Sequence, residues 1–348
     1  MSDARQAPQY ATMRDVATLA GVGVKTVSRV LNGEPNVSAE TTERVRRAAS
    51  ALNYELNVYA GGLRRMGART NAIGLMLESV DNAFSAAIHR GVETVMQRHS
   101  IVVLAQSFEE DPDRERTVVK EFLRRRVDGL ILTTVSRDQA YLSAEAARGT
   151  SIVFVDRPAA SVAFDSVVSS NFDGAVTATR HLLEHGHRQL AYVGGDQRIW
   201  TLRERRRGYF AELDRLGVSR SLVRDVTGVR GEEGARQVVH RMLDDREPPT
   251  AIFAAHNRMV VGTLRALHER GVQNQVAMVG FDDVQLLDLL EPGVTVVAQD
   301  PRRMGELAAE RLLARMQRNQ LELETITVPT TLIERGSGEI PGPFLTGA

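Results

Sequence analysis

Eight short apolar segments, separated by longer amphipathic stretches, run from residue 72 to residue 281 and constrain the fold more than any other feature. They read AIGLML, IVVLAQ, GLILTT, SIVFVD, SVVSS, QLAYVGG, TAIFAA and VAMVGF. Such alternation is typical of parallel β-sheets covered by helices on both faces. Because the segments form two successive sets of four, we predict an α/β body of two similar, doubly wound subdomains, over about residues 72–163 and 164–293.

A different pattern occupies residues 12–31, where two short amphipathic helices are predicted on either side of Gly21. Glycine permits the backbone conformation of a tight turn. Ser38 would cap a third helix with its own apolar stripe. The apolar positions of the first two helices repeat at helical spacing and are Val16, Ala17, Leu19, Ala20, Val22, Val27, Val30 and Leu31. We therefore predict a small all-α head over residues 12–56.

The second of these helices carries Lys25, Thr26, Ser28 and Arg29 on its remaining faces. These side chains are donors suited to base edges and phosphates. Residues 1–70 hold 10 basic and 6 acidic residues, against 34 and 38 in the rest, so positive charge is concentrated at the amino terminus. The pattern predicts a helix-turn-helix with a DNA-recognition helix, although another three-helix module would share the periodicity.

Composition excludes several other classes of protein. The chain has no cysteine, which removes disulfides, thiolate metal sites and cysteine nucleophiles. The polar start MSDARQAPQY has no apolar signal-peptide core, and no segment approaches the length of a membrane span. We expect a cytoplasmic protein with no membrane partner.

The sequence from residue 13 to residue 54 resembles the LacI family of bacterial transcription regulators, through DVATLAGVGVKTVSRVLNG and VSAETTERVRRAASALNY. The likeness extends to about residue 337, where it is carried by AIGLMLESVDNAFSAAIHRGVE, VDR, HLL with GHR, VGG, and VGFDD. The family implies a homodimer that reads a palindromic operator, and a body of periplasmic-binding-protein type with an effector bound between its subdomains.

The same resemblance implies how the chain crosses between subdomains. The helix near residues 302–317 would return to the first subdomain, which would then include about residues 294–322. The strand near residues 325–333 would join the second, which would include about residues 323–338. Residues 1–11 would be a disordered arm, residues 57–70 a hinge and residues 339–348 a tail.

Residue roles in DNA binding are also implied by the family. Val24, Lys25 and Arg29 would read bases in the major groove, with Arg29 able to pair bidentately with guanine. Phosphate contacts or capping are expected of a larger set, which comprises Thr12, Thr26, Ser28, Asn32, Ser38 and Tyr54.

The hinge departs from the family pattern. Leu63 would be the residue that wedges into the minor groove, but Gly61 and Gly62 occupy two positions of the hinge helix. Each internal glycine costs a helix about 0.5–1 kcal/mol relative to alanine. We expect the hinge to fold only on DNA, and a flexible tether in which Leu63 inserts nowhere is the alternative.

An effector that suits this family would be a sugar or a sugar derivative. Asp156, Arg205 and Asp282 stand where relatives place two carboxylates and a guanidinium against the ligand, although Asp156 could instead pair with Arg157. Phe84 and Trp200 could stack on a sugar ring or simply be core residues. The full set expected at the effector site is Asn82, Phe84, Asp156, Asn171, Trp200, Arg205, His256 and Asp282.

The resulting reading is a transcriptional repressor of genes for using sugars or related carbon sources, without catalytic residues, cofactor or metal. A corepressor-dependent regulator of purine or phosphosugar type remains open, because sequence does not fix the sign of the effector's action. A solute-binding protein would share the body fold without the head. His181, His185 and His187 have metal-like spacing, but relatives keep the outer two as structural residues at a helix end.

Overall fold

The computed structural model describes residues 11–54, 70–317 and 321–344, and the chain forms two compact units, Met1–Thr70 and Asn71–Ala348. We call the first the head and the second the body. The expected arm, apart from its last residue, and most of the hinge, including Leu63, lie outside the described residues.

Three helices form the described part of the head: α1 (Met13–Ala20), α2 (Val24–Leu31) and α3 (Ala39–Ala51). Thr12 caps α1 in a reciprocal box with Asp15, which satisfies backbone donors that a helix start leaves unpaired. Gly21 ends α1 at φ 63°, as the sequence predicted for the turn. Val16, Val27 and Val45 are fully buried where the three helices meet. Leu19 was expected on the buried face of α1, but 56% of it is exposed.

The body contains twelve strands among the described residues. They are β1 (Ala72–Leu77), β2 (Val102–Ser107), β3 (Gly129–Leu132), β4 (Ser151–Val155), β5 (Asp165–Ser169), β6 (Leu190–Val193), β7 (Val223–Val226), β8 (Ala251–Ala254), β9 (Ala277–Phe281), β10 (Thr295–Ala298), β11 (Thr325–Val328) and β12 (Thr331–Ile333). Eight α-helices cover them: α4 (Ala83–Gln97), α5 (Pro112–Arg124), α6 (Tyr141–Ala147), α7 (Asn171–Glu184), α8 (Trp200–Arg215), α9 (Gly231–Leu243), α10 (Asn257–Glu269) and α11 (Pro301–Gln317). No helix in the described ranges is long and apolar enough to cross a membrane.

The strands form two six-stranded sheets with equivalent strand orders, β11-β5-β4-β3-β1-β2 and β12-β10-β9-β8-β6-β7. Every pairing is parallel except β10 with β12. Most central strands are buried along their whole length, as parallel strands with helices on both faces should be. The predicted fold class is confirmed, and we call the two sheets with their helices the first and second subdomains.

The predicted allotment of strands was wrong in detail, because each sheet has six strands, whereas the sequence predicted four in the first subdomain and five in the second. β5 pairs with β4 in the first sheet, although we placed its segment at the start of the second subdomain. β10 pairs with β9 in the second sheet, not the first. The segment expected as one strand near residues 325–333 divides into β11, in the first sheet, and β12, in the second. An apolar run does not specify its neighbour, so pairing of this kind is decided by tertiary packing.

The chain therefore crosses between subdomains after β5, after β10 and after β11. As the resemblance implied, α11 packs in the hydrophobic core of the first subdomain. Glycines let it lie against α4: a Cβ built on Gly91 would be 2.1 Å from the carbonyl oxygen of Arg302, and one on Gly305 would be 2.2 Å from that of Ile88.

Candidate functional site

The head presents one face of α2 to solvent. Val27 and Val30 are buried against α1 and α3, whereas Lys25 and Arg29 are exposed and Val24 is 42% exposed. The helix spacing thus separates the packing positions from the three expected base-reading positions. The Arg29 guanidinium lies 3.9 Å from the carboxylate of Glu34, and 58% of the Arg29 side chain is exposed. A surface ion pair of this kind contributes little, so Arg29 remains available to a partner.

The residues expected to position DNA cap or pack the head in this structure. The Asn32 side chain donates to the carbonyl oxygen of Ser28 at 2.8 Å, at the end of α2. Ser38 accepts from the backbone N–H of Thr41 at 3.3 Å and starts α3. Tyr54 packs against the head core and Thr26 is half-buried. Thr12 and Ser38 stand at the N-termini of α1 and α3, where phosphates are commonly bound, whereas Asn32 lies at the C-terminal end of α2.

The body has a cavity of about 620 Å³ between the carboxyl ends of its two sheets. Six of the eight expected effector residues line it, and these are Asn82, Phe84, Asp156, Arg205, His256 and Asp282. Asn171 and Trp200 are not in its wall. The topology explains the location, because loops after parallel strands converge where two such sheets face each other.

Asp156 and Asp282 occupy equivalent positions in the two subdomains. Each follows a strand directly, β4 or β9, and each has a positive φ, 70° for Asp156 and 79° for Asp282. Each backbone N–H donates to the neighbouring strand, Asp156 to Val167 and Asp282 to Val297. This strained, anchored geometry turns each carboxylate into the cavity at the end of its sheet.

Arg205 reaches the same cavity from α8. Its Nε donates to Asn171 Oδ1 at 2.7 Å and its Nη1 to the carbonyl oxygen of Ala255 at 2.8 Å. The guanidinium also lies 3.7 Å from the centre of the Phe281 ring and 3.8 Å from the Asp282 carboxylate. The expectation that Asn171 touches the effector therefore needs correction, because Asn171 lies behind Arg205 and orients it.

Burial shapes the protonation of the site. It lowers the pKa of His256 to about 4, although the nearby Asp282 carboxylate acts in the opposite direction. The ring is therefore neutral at pH 7. Its Nδ1 accepts from the backbone N–H of Arg258 at 3.3 Å, so the ring proton is on Nε2. Burial has the opposite effect on the acid: it raises the pKa of Asp156, whereas the charges of Arg157 and Arg205 lower it.

Three residues of the wall were missed by sequence reasoning as ligand contacts. Arg157 donates to Asp156 at 3.2 Å and to Glu110 at 2.6 Å, so the alternative pairing of Asp156 is realised inside the cavity. Gln299 Nε2 donates to Asp282 Oδ1 at 2.5 Å. Glu110 follows β2 and Gln299 follows β10, so the rule that sites gather after parallel strands was the available signal.

The described wall contains unsatisfied hydrogen-bond acceptors. Within the described residues, Glu110 Oε2 and Gln299 Oε1 are buried without a hydrogen-bond partner. An unpaired buried acceptor is costly, and a ligand that donates hydrogen bonds would relieve the cost. The wall carries seven carboxylates and five guanidinium groups, and these are Glu78, Asp81, Glu109, Glu110, Asp156, Asp196 and Asp282 with Arg157, Arg198, Arg205, Arg230 and Arg258. The ionic balance disfavours an anionic ligand.

The histidines with metal-like spacing serve structural contacts. His181 Nε2 lies 2.6 Å from Glu339 Oε1, and His187 bonds through Nδ1 to Thr250 at 2.9 Å and through Nε2 to the carbonyl oxygen of Ile340 at 2.8 Å. In the ranges that the structure covers, no group of three or more such side chains could hold a metal ion.

Comparison with known proteins matches both units. Residues 12–57 match the model of bacterial regulatory proteins of the lacI family, and residues 179–338 match a periplasmic binding protein-like domain. The HTH-type transcriptional regulator GalS of Salmonella typhimurium is 31% identical over 87% of this chain and 89% of its own length. The ribose operon repressor of Escherichia coli is 30% identical over 94% of this chain and 99% of its own length. A crystal structure of the lac repressor dimer bound to operator and an anti-inducer superposes with a TM-score of 0.83 and 29% identity, over 95% of this chain and 99% of the repressor chain.

Proposed function

This chain belongs to the LacI family of bacterial regulatory proteins, and from that premise we propose that it represses genes for the use of a neutral sugar, which it binds in the body cavity. The observation that carries the proposal is the presence in one chain of a lacI-type head with an exposed polar helix face and of a cavity walled by buried carboxylates and guanidinium groups.

DNA recognition is proposed for α2. Arg29 and Lys25 supply donors for base edges, and Val24 supplies an apolar contact for a thymine methyl group. Their exposure, together with burial of the opposite face, supports this assignment. Because the head is small, we propose that two copies bind a palindrome as a homodimer. The similar structure of the lac repressor dimer bound to operator supports this proposal.

A neutral polyhydroxylated effector is favoured by the acceptors in the wall. Asp156, Asp282 and the unsatisfied oxygens of Glu110 and Gln299 call for a ligand with several donors. Sugar hydroxyls are such donors, and Arg205 and the Nε2–H of His256 would contact a ring or hydroxyl oxygen. Together these groups fit the hydroxyl pattern of a sugar.

The alternative corepressors are less well supported by the wall. A phosphosugar would need guanidinium groups free of carboxylates, yet Arg157 pairs with Asp156 and Glu110, and Arg205 lies 3.8 Å from Asp282. A purine would need large aromatic faces, and Phe84 is the one phenylalanine, tyrosine or tryptophan in the described wall. These observations favour a sugar over both.

The test begins with fragments of the source genome. Purified full-length protein is used to select bound fragments, which are sequenced, and recovery of a shared palindrome beside transport or catabolic genes is expected. Arg29→Ala protein provides the control, since it should lose that enrichment while keeping its fold. Wild-type protein that enriches no palindrome, either alone or with a panel of free sugars, purine bases and sugar phosphates, would refute the proposal.

The effector is identified by titrating the same panel into the protein with and without saturating operator. Linkage requires that a ligand which weakens operator binding is itself bound more weakly in the presence of operator, by the same factor. Tighter binding of a purine or a sugar phosphate with operator would establish the corepressor alternative instead.

A further inference from the structure

A side-chain hydrogen bond beside the body cavity links the two subdomains. Asn257 Nδ2, at the start of α10 in the second subdomain, donates to Asn82 Oδ1 at 2.9 Å. Asn82 caps α4 in the first subdomain. The two residues are 175 positions apart in sequence, so only the folded body brings them together.

The orientation of Asn82 is fixed by two other contacts. Its Oδ1 accepts from the backbone N–H of Phe84 at 3.0 Å, and its Nδ2 donates to Glu78 Oε2 at 3.0 Å. A backbone N–H cannot accept, and the Glu78 carboxylate cannot donate when ionised. The Asn82 amide therefore presents only its oxygen to the second subdomain, and Asn257 must supply the donor.

Asn257 is also joined to the effector wall. Its backbone N–H donates to Asp282 Oδ2 at 3.2 Å, and its Oδ1 accepts from the backbone N–H of Arg258 at 2.7 Å. Arg258 also links the two subdomains, through longer ionic contacts: its Nη2 lies 3.6 Å from the Glu78 carboxylate and 3.8 Å from the Asp81 carboxylate. One chain of polar contacts thus runs from Asp282 through Asn257 to the cap of α4.

We propose that Asn257 is a positioning residue. By linking Asp282 to Asn82 it holds the two subdomains together around the cavity, and it makes this closure sensitive to the ligand. The inference rests on the proposed function, in which Asp282 binds a sugar hydroxyl. A ligand hydroxyl that donates to Asp282 would share the carboxylate with the backbone N–H of Asn257. Binding of the ligand would therefore change the hydrogen bond between Asn257 and Asn82 and, with it, the position of α4. Asn257 would not itself need to touch the ligand.

The test is hydrogen exchange, followed by mass spectrometry, on the full-length, ligand-free protein. Asn257→Asp keeps the acceptor that caps Arg258 but replaces the bridging donor with an acceptor. Peptides over residues 78–90, in the other subdomain, are expected to exchange about 2- to 10-fold faster, in line with the loss of one hydrogen bond. Asn274→Asp is the matched control, because Asn274 is an exposed residue of the second subdomain outside the cavity wall. It adds the same charge and should leave these peptides unchanged.

A double-mutant cycle separates the bridge from local capping. Asn82→Ala should accelerate exchange over residues 254–262, Asn257→Ala should accelerate it over residues 78–90, and the double variant should add little to either. If each substitution affects only peptides of its own subdomain, the bridge does not hold the cavity closed and the proposal is overturned. No operator or sugar is used, so this result is independent of whether the proposed function itself holds.

Discussion

The contact between α4 and α11 provides the sharpest test of how the first subdomain is built. Gly91→Ala would place a methyl group 2.1 Å from the carbonyl oxygen of Arg302 and 2.9 Å from the backbone nitrogen of Glu306. Both neighbours are backbone atoms of α11, so no side chain can rotate away. Gly305→Ala meets α4 in the same way, 2.2 Å from the carbonyl oxygen of Ile88.

The magnitude follows from these distances. An ordinary contact of a methyl carbon needs 3.4 Å or more, so the helices must separate by about 1 Å. A gap of that size removes a quarter to a half of the dispersion energy of each affected contact, and overpacking typically costs about 1–3 kcal/mol. Alanine returns about 0.8–1 kcal/mol through its helix propensity. We expect a net loss of about 1 kcal/mol in the free energy of unfolding.

Thermal unfolding of the full-length protein measures the effect. A loss of this size should lower the melting temperature of the body by about 2–4 °C. Gly234→Ala in α9 is the matched control, because its new methyl group would meet only the Val229 side chain, at 3.4 Å. That variant should melt at or above the wild-type temperature. If Gly91→Ala also melts at or above wild type, the close approach of the two helices is not as described.

Three further predictions concern the head and the cavity. Arg29→Ala should weaken binding to the selected palindrome by about 5- to 150-fold for each half-site, because a bidentate contact to guanine contributes about 1–3 kcal/mol. Fluorescence anisotropy measures this loss. Arg47, an exposed arginine 3.7 Å from Glu43, provides the control, and an equal loss for Arg47→Ala would argue against base reading by Arg29. Gly21→Ala should destabilise the head by about 1–2 kcal/mol, because Gly21 has φ 63° and a Cβ is disfavoured in this left-handed conformation. Hydrogen exchange across α1 and α2 should become faster, and unchanged exchange would contradict the prediction. Because burial lowers the pKa of His256 to about 4, the unfolded chain binds a proton there that the folded chain does not between about pH 6.5 and 4. The stability that the neutral ring supplies is therefore complete above pH 6.5 and is lost as the pH falls toward 4. His256→Gln should flatten that part of the melting-temperature profile, and an unaltered profile would show that the ring titrates normally.

The shared geometry of Asp156 and Asp282 shows how a duplicated fold makes one site. Each carboxylate follows the strand that pairs with its subdomain's crossing strand, β5 or β10. Because the two sheets have equivalent strand orders and both line the cavity, equivalent loops deliver the two acids to the same cavity. The asymmetric partners, Arg157 in one wall and Arg205 in the other, then distinguish the walls chemically.

Local sequence determined much of this protein. The helical spacing of the apolar residues around Val16, Val27 and Val45 predicted three helices, each of which buries one stripe. Gly21 predicted a turn between the first two helices. The runs that became β1, β3 and β4 are continuous and apolar, which is typical of strands buried on both faces. The exposed polar face of α2 follows from the same periodicity. Six of the eight expected residues line the cavity, and all but Arg205 lie at or next to the end of a strand or the start of a helix.

Tertiary structure decided what no local pattern encodes. β5, β10 and β11 are short strands whose sequences do not specify a partner, so their assignment came only from packing. The family pattern places both Asn171 and Arg205 at the effector site, but in the structure Asn171 supports Arg205. The Arg205 residue is only 2% exposed, and its buried guanidinium needs hydrogen-bond acceptors such as Asn171 Oδ1. The bridge from Asn257 to Asn82 joins residues 175 positions apart. Sequence specifies which groups can donate and accept, but long-range contacts form only when two separately folded sheets bring them within hydrogen-bond distance.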